Sequence, residues 1–416
     1  MVMDEAGLEM TLHVGTARLP RLLYVGDVPV ASTVAGMAVL YRLLETYPPE
    51  KLRIVASALW PTVPEQRIPR VAYDTLHIGP PRPLYTRFGS LYASCLYLMA
   101  PVHSHRLRRI VADFQPEAIL TVAHGYTWRT AASLASRLRL PLHLVVHDDF
   151  GTMQGLPNSL RSWADRQFGE VYRSASTRLC VSPYMSERYR DHYGSQGTVL
   201  YPLRAPDTPN FVTPPAGAAH GSPSVRIAYA GSLQHTGYVR SLAMLASVLA
   251  SVDGRLIVYS PQQLALSSDS EPDMSNVTIR PTIPARDLIS RLRLEADVLF
   301  VPMSFEPDNR RDAELAFPSK LSDYTATGLP LLIFGPPYCS AVRWARENPG
   351  VAEVVDRPDP RALAAAIRRL ASDPPYRYEL GARALEVGGR LFSHTSCVER
   401  FYTLLGNANL PPKEAG

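Results

Sequence analysis

Short apolar runs of strand length recur along the first half of the chain, at Arg21–Val25, Leu52–Ala56, Ala118–Val122, Leu142–Val146 and Thr198–Leu200. Helical periodicity fills the gaps between them, as in Ala35–Tyr47, Thr127–Leu138 and Ser159–Ser174. The second half repeats the scheme, with strands predicted near Val225–Ala230, Arg255–Tyr259, Val277–Arg280, Asp297–Val301, Leu331–Phe334 and Ala352–Val355. Strands alternating with helices pair in parallel, so the pattern predicts two doubly wound, Rossmann-like α/β domains. Between the halves, residues 202–223 are too rich in proline for a helix interior or a central strand and read as a linker. The predicted organisation is therefore a first domain over 20–201, a linker over 202–223 and a second domain over 224–390. A last helix over 391–406 is expected to pack back toward the first domain.

Two such sheets face each other across a cleft, and ligands bind at the carboxyl ends of the strands. The segment with the most chemistry there is Ala316–Phe334, in which a short helix stands between two apolar strands. Pro318 suits a first helical position, Gly328 a left-handed stop and Pro330 a block, which predicts a helix over 318–327. Free N–H groups at its start favour an anion, and Lys320 and Asp323, three residues apart, share one face beside Ser319. A lysine there can meet a phosphate, and a carboxylate can accept both hydroxyls of a ribose. An ordinary solvated Lys–Asp pair has the same spacing.

Other strand ends supply further candidates. The turn after Tyr229-Ala230 carries Gly231 and Ser232, then Gly237 and Arg240, and could let a backbone approach a pyrophosphate, although it lacks a dinucleotide fingerprint. His147 ends the strand Leu142–Val146 and His124 follows Ala118–Val122, so both are expected at the mouth of the first domain. A histidine there suits contact with a sugar or an acceptor and proton traffic, or is simply a hydrogen-bonded structural residue. Asp148 and Asp149 are adjacent carboxylates without a third ligand, which fits a cap or loop charge better than a divalent metal. No metal and no cofactor are expected.

The chain has 416 residues, 46% hydrophobic and 19% charged, enough for two domains of roughly 150–200 residues each. Its net charge of +5 is spread out, which suits anionic substrates or an anionic membrane surface better than nucleic acid. The four cysteines, Cys95, Cys180, Cys339 and Cys397, lie far apart, which argues against zinc or disulfides and for a reducing cytoplasm. The acidic Met1–Leu19 does not read as a signal peptide, and no apolar run is long enough to span a membrane. Phe88–Val102, followed by His103, His105, Arg106, Arg108 and Arg109, reads either as a buried domain helix or as one lying on a membrane.

With these residues in place, the chain resembles the retaining, nucleotide-sugar-dependent glycosyltransferases of GT-B fold, of the family-four type. The resemblance runs from Arg21 to Leu405 and is most specific at Phe317–Pro330, similar to the family's Pro-Ser-Lys-x-x-Glu-Tyr-x-Ala-x-Gly-x-Pro segment. It implies that Asp323 stands where the family holds the ribose, Gly231 beneath the donor phosphates and His147 near the donor sugar. It also implies that the loop Ala31–Gly36 lies on the acceptor side, where Gly36 joins the strand-end residues His124 and Asp148 as acceptor-side candidates. The chain departs from the pattern at Leu315, where many relatives carry a first glutamate, for which Glu314 or Glu306 are possible substitutes. Gln234, His235 and Thr236 follow the glycine turn, leaving Lys320, and with it Arg240, to neutralise phosphate. The implied activity moves a sugar from a nucleotide-sugar to a glycan, lipid-linked or other cell-envelope acceptor. Within this fold a sugar-nucleotide epimerase is an alternative, and a non-catalytic nucleotide-sugar-binding partner is another.

Overall fold

The computed structural model describes residues 19–33, 35–60, 62–150, 155–216, 224–233, 236–261 and 275–407. Most of the N-terminal stretch, the end of the linker, and Gln234 and His235 lie outside them.

The first sheet contains β1 (Leu22–Gly26), β2 (Leu52–Ser57), β3 (Ala72–Leu76), β4 (Ala118–Val122), β5 (Leu142–Val146), β6 (Thr177–Cys180) and β7 (Thr198–Val199). All neighbours pair in parallel, in the order β3-β2-β1-β4-β5-β6-β7. The second sheet contains β8 (Arg226–Ala230), β9 (Arg255–Tyr259), β10 (Val277–Arg280), β11 (Val298–Pro302), β12 (Leu331–Phe334) and β13 (Ala352–Val355). It is again parallel, in the order β10-β9-β8-β11-β12-β13. The predicted α/β class with two doubly wound sheets is what forms. Each order reverses once, between β1 and β4 and between β8 and β11, and those reversals leave a crevice at the strand ends for a ligand.

Two strands were not expected. β3 is an edge strand whose Ala72 and Thr75 are exposed, so it has no apolar run to betray it. β6 has only four residues and includes Arg178, whose guanidinium reaches the carbonyls of Ala175 and Gln196.

Helices flank both sheets: α1 (Ala35–Leu44), α2 (Gly89–Leu98), α3 (Ala100–Ile110), α4 (Thr127–Leu138), α5 (Asn158–Ser174) and α6 (Pro183–Tyr193) in the first half. The second half has α7 (Thr236–Ala250), α8 (Ala285–Glu295), α9 (Arg310–Leu315), α10 (Lys320–Tyr324), α11 (Ser340–Glu347), α12 (Pro360–Ser372), α13 (Pro374–Phe392) and α14 (His394–Asn407). α6 illustrates the local logic. Ser182 caps it by accepting from the Met185 N–H at 3.1 Å, Pro183 opens it and Gly194, at φ +75°, ends it. The same Ser182 hydroxyl donates to the Leu315 carbonyl at 2.6 Å, so one cap also fastens the first domain to the second.

Behind the mouth of the first sheet lies an aromatic core. Phe168 is fully buried, stacks on Phe150 with centroids 4.1 Å apart and meets Trp128 edge-on at 5.5 Å. Phe150 stands three residues after His147, and its N–H donates to the Tyr189 hydroxyl at 2.9 Å. The loop that carries His147 is thereby pinned to the core.

The α2–α3 segment covers the stretch Phe88–Val102 and is partly buried and partly exposed. Leu96 and Tyr97 are buried, whereas Tyr85, Phe88, Leu91, Leu98, Met99 and Val102 are exposed, Tyr85 at 80% and Leu91 at 66%. Arg82, Arg87, Arg106, Arg108 and Arg109 are exposed beside them. No described helix is long and apolar enough to cross a membrane.

Candidate active site

The donor side is built where β8 ends. Tyr229 sends its hydroxyl back to the Ser232 carbonyl at 2.8 Å, closing a tight turn around Gly231. A Cβ at Gly231 would stand 2.9 Å from that hydroxyl and 3.1 Å from Lys320 Nζ, so glycine is the residue that leaves room. Tyr324 of α10 holds the turn from the other side, its hydroxyl accepting from the Ala230 N–H at 2.6 Å.

Lys320 Nζ lies 4.1 Å from the centroid of the Tyr229 ring and 5.4 Å from that of Tyr238. The lysine keeps partial exposure, yet burial pushes its ammonium down to about 7. A diphosphate arriving here would restore the proton. The affinity for UDP is therefore expected to fall as pH rises from about 7 to 9, by up to about tenfold per unit, because the free protein loses its cation first. Isothermal titration across that range checks it, and a constant dissociation constant would remove Lys320 from the phosphate.

The helix expected over 318–327 is shorter, running over Lys320–Tyr324. Thr325 and Thr327 turn their hydroxyls back onto the Leu321 and Tyr324 carbonyls at 2.8 and 2.7 Å, tightening the chain into turns before Gly328 takes φ +69°. So short a helix has little dipole, which leaves the lysine as the principal positive group of the segment. The Ser319 side chain makes no capping bond, while its carbonyl accepts from the Ser322 hydroxyl at 2.7 Å.

Asp323 pairs with a residue of the first domain. Its carboxylate accepts from Arg42 of α1 at 3.1 and 3.4 Å, and the same guanidinium donates to the Leu203 carbonyl at 2.7 Å. Arg204, nearly buried, adds bonds to the Ser322 carbonyl at 3.1 Å and to the Thr325 hydroxyl at 3.2 Å. Arg240 is mostly exposed and paired with Glu306.

On the first-domain side, His147 faces Gly36, where a Cβ would stand 3.4 Å from Nδ1. Burial lowers the affinity of the His147 imidazole for its proton, against a smaller opposing effect of Asp148. His124 Nδ1 lies 3.5 Å from the Asp148 carboxylate, with Trp60 edge-on to its ring at 6.2 Å. Asp27, fully buried, accepts from the N–H groups of Tyr126 and Thr127 and so caps α4 from across the sheet. Asp149 turns away from Asp148: its side chain is 1% exposed and bound to Arg311 of α9 at 2.6 Å and to the Tyr189 hydroxyl at 3.2 Å. Through Arg311 it ties the first domain to the second.

Two cavities meet here. One of about 520 Å³ lies between the domains, lined by Tyr238, Ser304, Asn309, Asp312 and Phe317 from the second and by His124 and Asp148 from the first. The other, about 310 Å³, lies in the first domain around Gly36, Met37, Trp60 and His147, and shares His124 and Asp148 with the first. Leu315 is buried. Glu314 pairs with Arg310 and Glu306 with Arg240, so neither proposed substitute lines the larger cavity; Asp312, one turn before Leu315, does. Sequence reasoning missed Asp312, Trp60 and the two tyrosines. Tyr229 and Tyr238 flank the glycine turn, which was the available signal.

Residues 40–202 match the model for Glycosyltransferase Family 4. That stretch, less than half of the chain, is similar to family 4 glycosyltransferases. The curated proteins yield no match. Among solved structures, it is similar to sucrose-phosphate synthase from Thermosynechococcus elongatus, at 18% identity and TM-score 0.63, covering 92% of this chain and 98% of that one. It is also similar to an α,α-trehalose-phosphate synthase (UDP-forming) from Burkholderia xenovorans in complex with glucose-6-phosphate, at 14% identity and TM-score 0.63, covering 92% and 100%. WaaG, a glycosyltransferase involved in lipopolysaccharide biosynthesis, aligns at 14% identity and TM-score 0.60, covering 92% and 99%. These likenesses establish the GT-B glycosyltransferase fold for both domains.

Proposed function

We propose that the protein transfers a sugar from a nucleotide-sugar donor to a hydroxyl of a glycan or lipid-linked cell-envelope acceptor, with retention at the anomeric carbon and without a metal. The observation that carries this reading is Lys320 Nζ poised over the Gly231 turn at the cleft. Cleavage of the sugar–phosphate bond builds charge on the departing diphosphate, and a fixed cation in a poorly solvated site stabilises that charge more than it stabilises the bound donor. Gly231 and Ser232 supply close backbone, His147 orients the sugar at the first-domain wall, and Asp323, which keeps acceptor capacity beyond its Arg42 bonds, takes the ribose. The metal-free reading is supported by Lys320, whose ammonium over the Gly231 turn can neutralise the departing diphosphate. The envelope acceptor is supported by the likeness to WaaG. The test is nucleotide release from UDP-, GDP- and dTDP-sugars in the presence of EDTA. Binding without release would make the chain a nucleotide-sugar binder, and loss restored by magnesium or manganese would reject the metal-free route.

The acceptor side carries a second part of this reading, peripheral attachment to an anionic membrane. Exposed Phe88, Leu91, Met99 and Val102 stand beside exposed Arg106, Arg108 and Arg109. Tyr92 of α2 packs in the same apolar cluster as Tyr126, whose N–H binds Asp27 at the acceptor pocket. Each basic residue near an anionic surface contributes about 1 kcal/mol, so three give a weak, salt-sensitive attachment. Sedimentation with anionic but not neutral liposomes is expected, reduced by salt and by replacing the three arginines with glutamine. Protein left in the supernatant with both liposome types at low salt would rule the attachment out.

A further inference from the structure

The first-domain pocket also says what kind of acceptor fits it. Its wall is made by the segments that follow β1, β2, β4 and β5, and residues 26–37, 56–66, 122–128 and 145–156 contain no lysine or arginine. Among the described residues no basic side chain other than histidine lines the cavity, while two carboxylates, Asp27 and Asp148, do. The histidines do not reverse that balance. Burial keeps His147 neutral to lower pH than usual, and a proton on His124 would face Asp148 at 3.5 Å. The nearest arginines in sequence are committed elsewhere: Arg42 to Asp323, Arg67 to Thr62 and Arg129 to the Tyr97 carbonyl. The remaining wall, Val28, Pro29, Met37, Val122 and the half-buried Trp60, offers apolar surface and one indole face.

Resting on the transferase reading above, we propose that this pocket takes an uncharged glycosyl unit and rejects sugar phosphates. A pyranose has an apolar face of C–H groups that can lie on Trp60 and a rim of hydroxyls that can donate to Asp148 and Asp27. A phosphate placed here would meet a carboxylate and no cation, so the wall repels what it does not bind. The shared His124 and Asp148 place the hydroxyl end of such a unit at the passage into the larger cavity, where the donor sugar is expected.

Ligand-observed NMR titration with methyl hexosides (gluco, galacto and manno) and with the corresponding hexose 6-phosphates tests the assignment directly, without any donor. At least one hexoside is expected to bind at least about tenfold more tightly than every hexose phosphate, an electrostatic preference of ordinary size. Trp60→Ala should abolish the hexoside signal. Met37→Lys, which puts a cation into the wall without removing a ligand group, should strengthen hexose phosphate binding several-fold while the fold, followed by circular dichroism, is retained. Hexose phosphates binding as tightly as hexosides, no hexoside binding at all, or an unchanged preference in a folded Met37→Lys protein would each overturn the proposal. Hexoside binding without nucleotide release would leave the pocket assignment standing while the transferase reading fell.

Discussion

Lys320→Ala is expected to lower turnover by about a hundredfold or more, and to weaken donor binding as well. Removing one preorganised group that meets developing charge costs roughly 3 kcal/mol in the transition state, and a hundredfold corresponds to about 2.7 kcal/mol. The size follows from the surroundings. Nζ sits against two aromatic faces and has lost much of its hydration, so its charge acts on the diphosphate through little intervening water. Arg240 cannot compensate, being mostly exposed and occupied by Glu306. Steady-state kinetics with the accepted donor, paired with the donor dissociation constant, separates the two effects. Turnover within a few-fold of the wild type would reject the assignment.

The second large effect lies outside the cleft. Phe168→Ala is expected to cost about 4 kcal/mol, because a fully buried ring stacked on Phe150 and edge-on to Trp128 leaves a cavity that its rigid aromatic neighbours cannot close. For a domain of this size, that corresponds to a fall in melting temperature of about 10 °C. Activity at low temperature should fall as well, since Phe150 anchors the loop behind His147. A shift of less than about 2 °C in differential scanning calorimetry would show that the cluster repacks and that the loop has another anchor.

Much of this was legible in the order of residues. Two parallel sheets follow from apolar runs alternating with helical periods, and Gly328 takes the left-handed backbone that its place before Pro330 suggested. The strand-end rule puts His124, His147 and Gly231 at the carboxyl ends of their strands, where β4, β5 and β8 do end, because in this topology position along the chain fixes position at the mouth of the sheet. What was hidden is what depends on distant partners. The spacing of Lys320 and Asp323 put both on one face, but nothing local told that Arg42, nearly three hundred residues earlier, pairs with the aspartate. β3 and β6 pair at or near the edge with few apolar residues, so their strand character comes from the neighbour strand rather than from their own composition. The shortened α10 reflects threonine hydroxyls competing for backbone carbonyls, a local effect that a cap-to-cap reading overlooks.

The polypeptide passes from one domain to the other twice, once through the linker and once where α13 gives way to α14, which packs on α1 with Tyr402 and Tyr47 edge-on at 5.2 Å. The two passages touch: the Arg204 N–H donates to the Phe392 carbonyl at 3.0 Å, and the Tyr201 and Phe392 rings meet at 5.5 Å. Two tethers fastened side by side behave like the knuckles of a door hinge. They resist sliding and separation of the domains, and leave rotation about the line through them as the easiest motion. Cleft width thus becomes the soft coordinate of the molecule. The Asp149–Arg311 pair, like the Ser182–Leu315 bond, spans the domains and is among the contacts that such a rotation would strain.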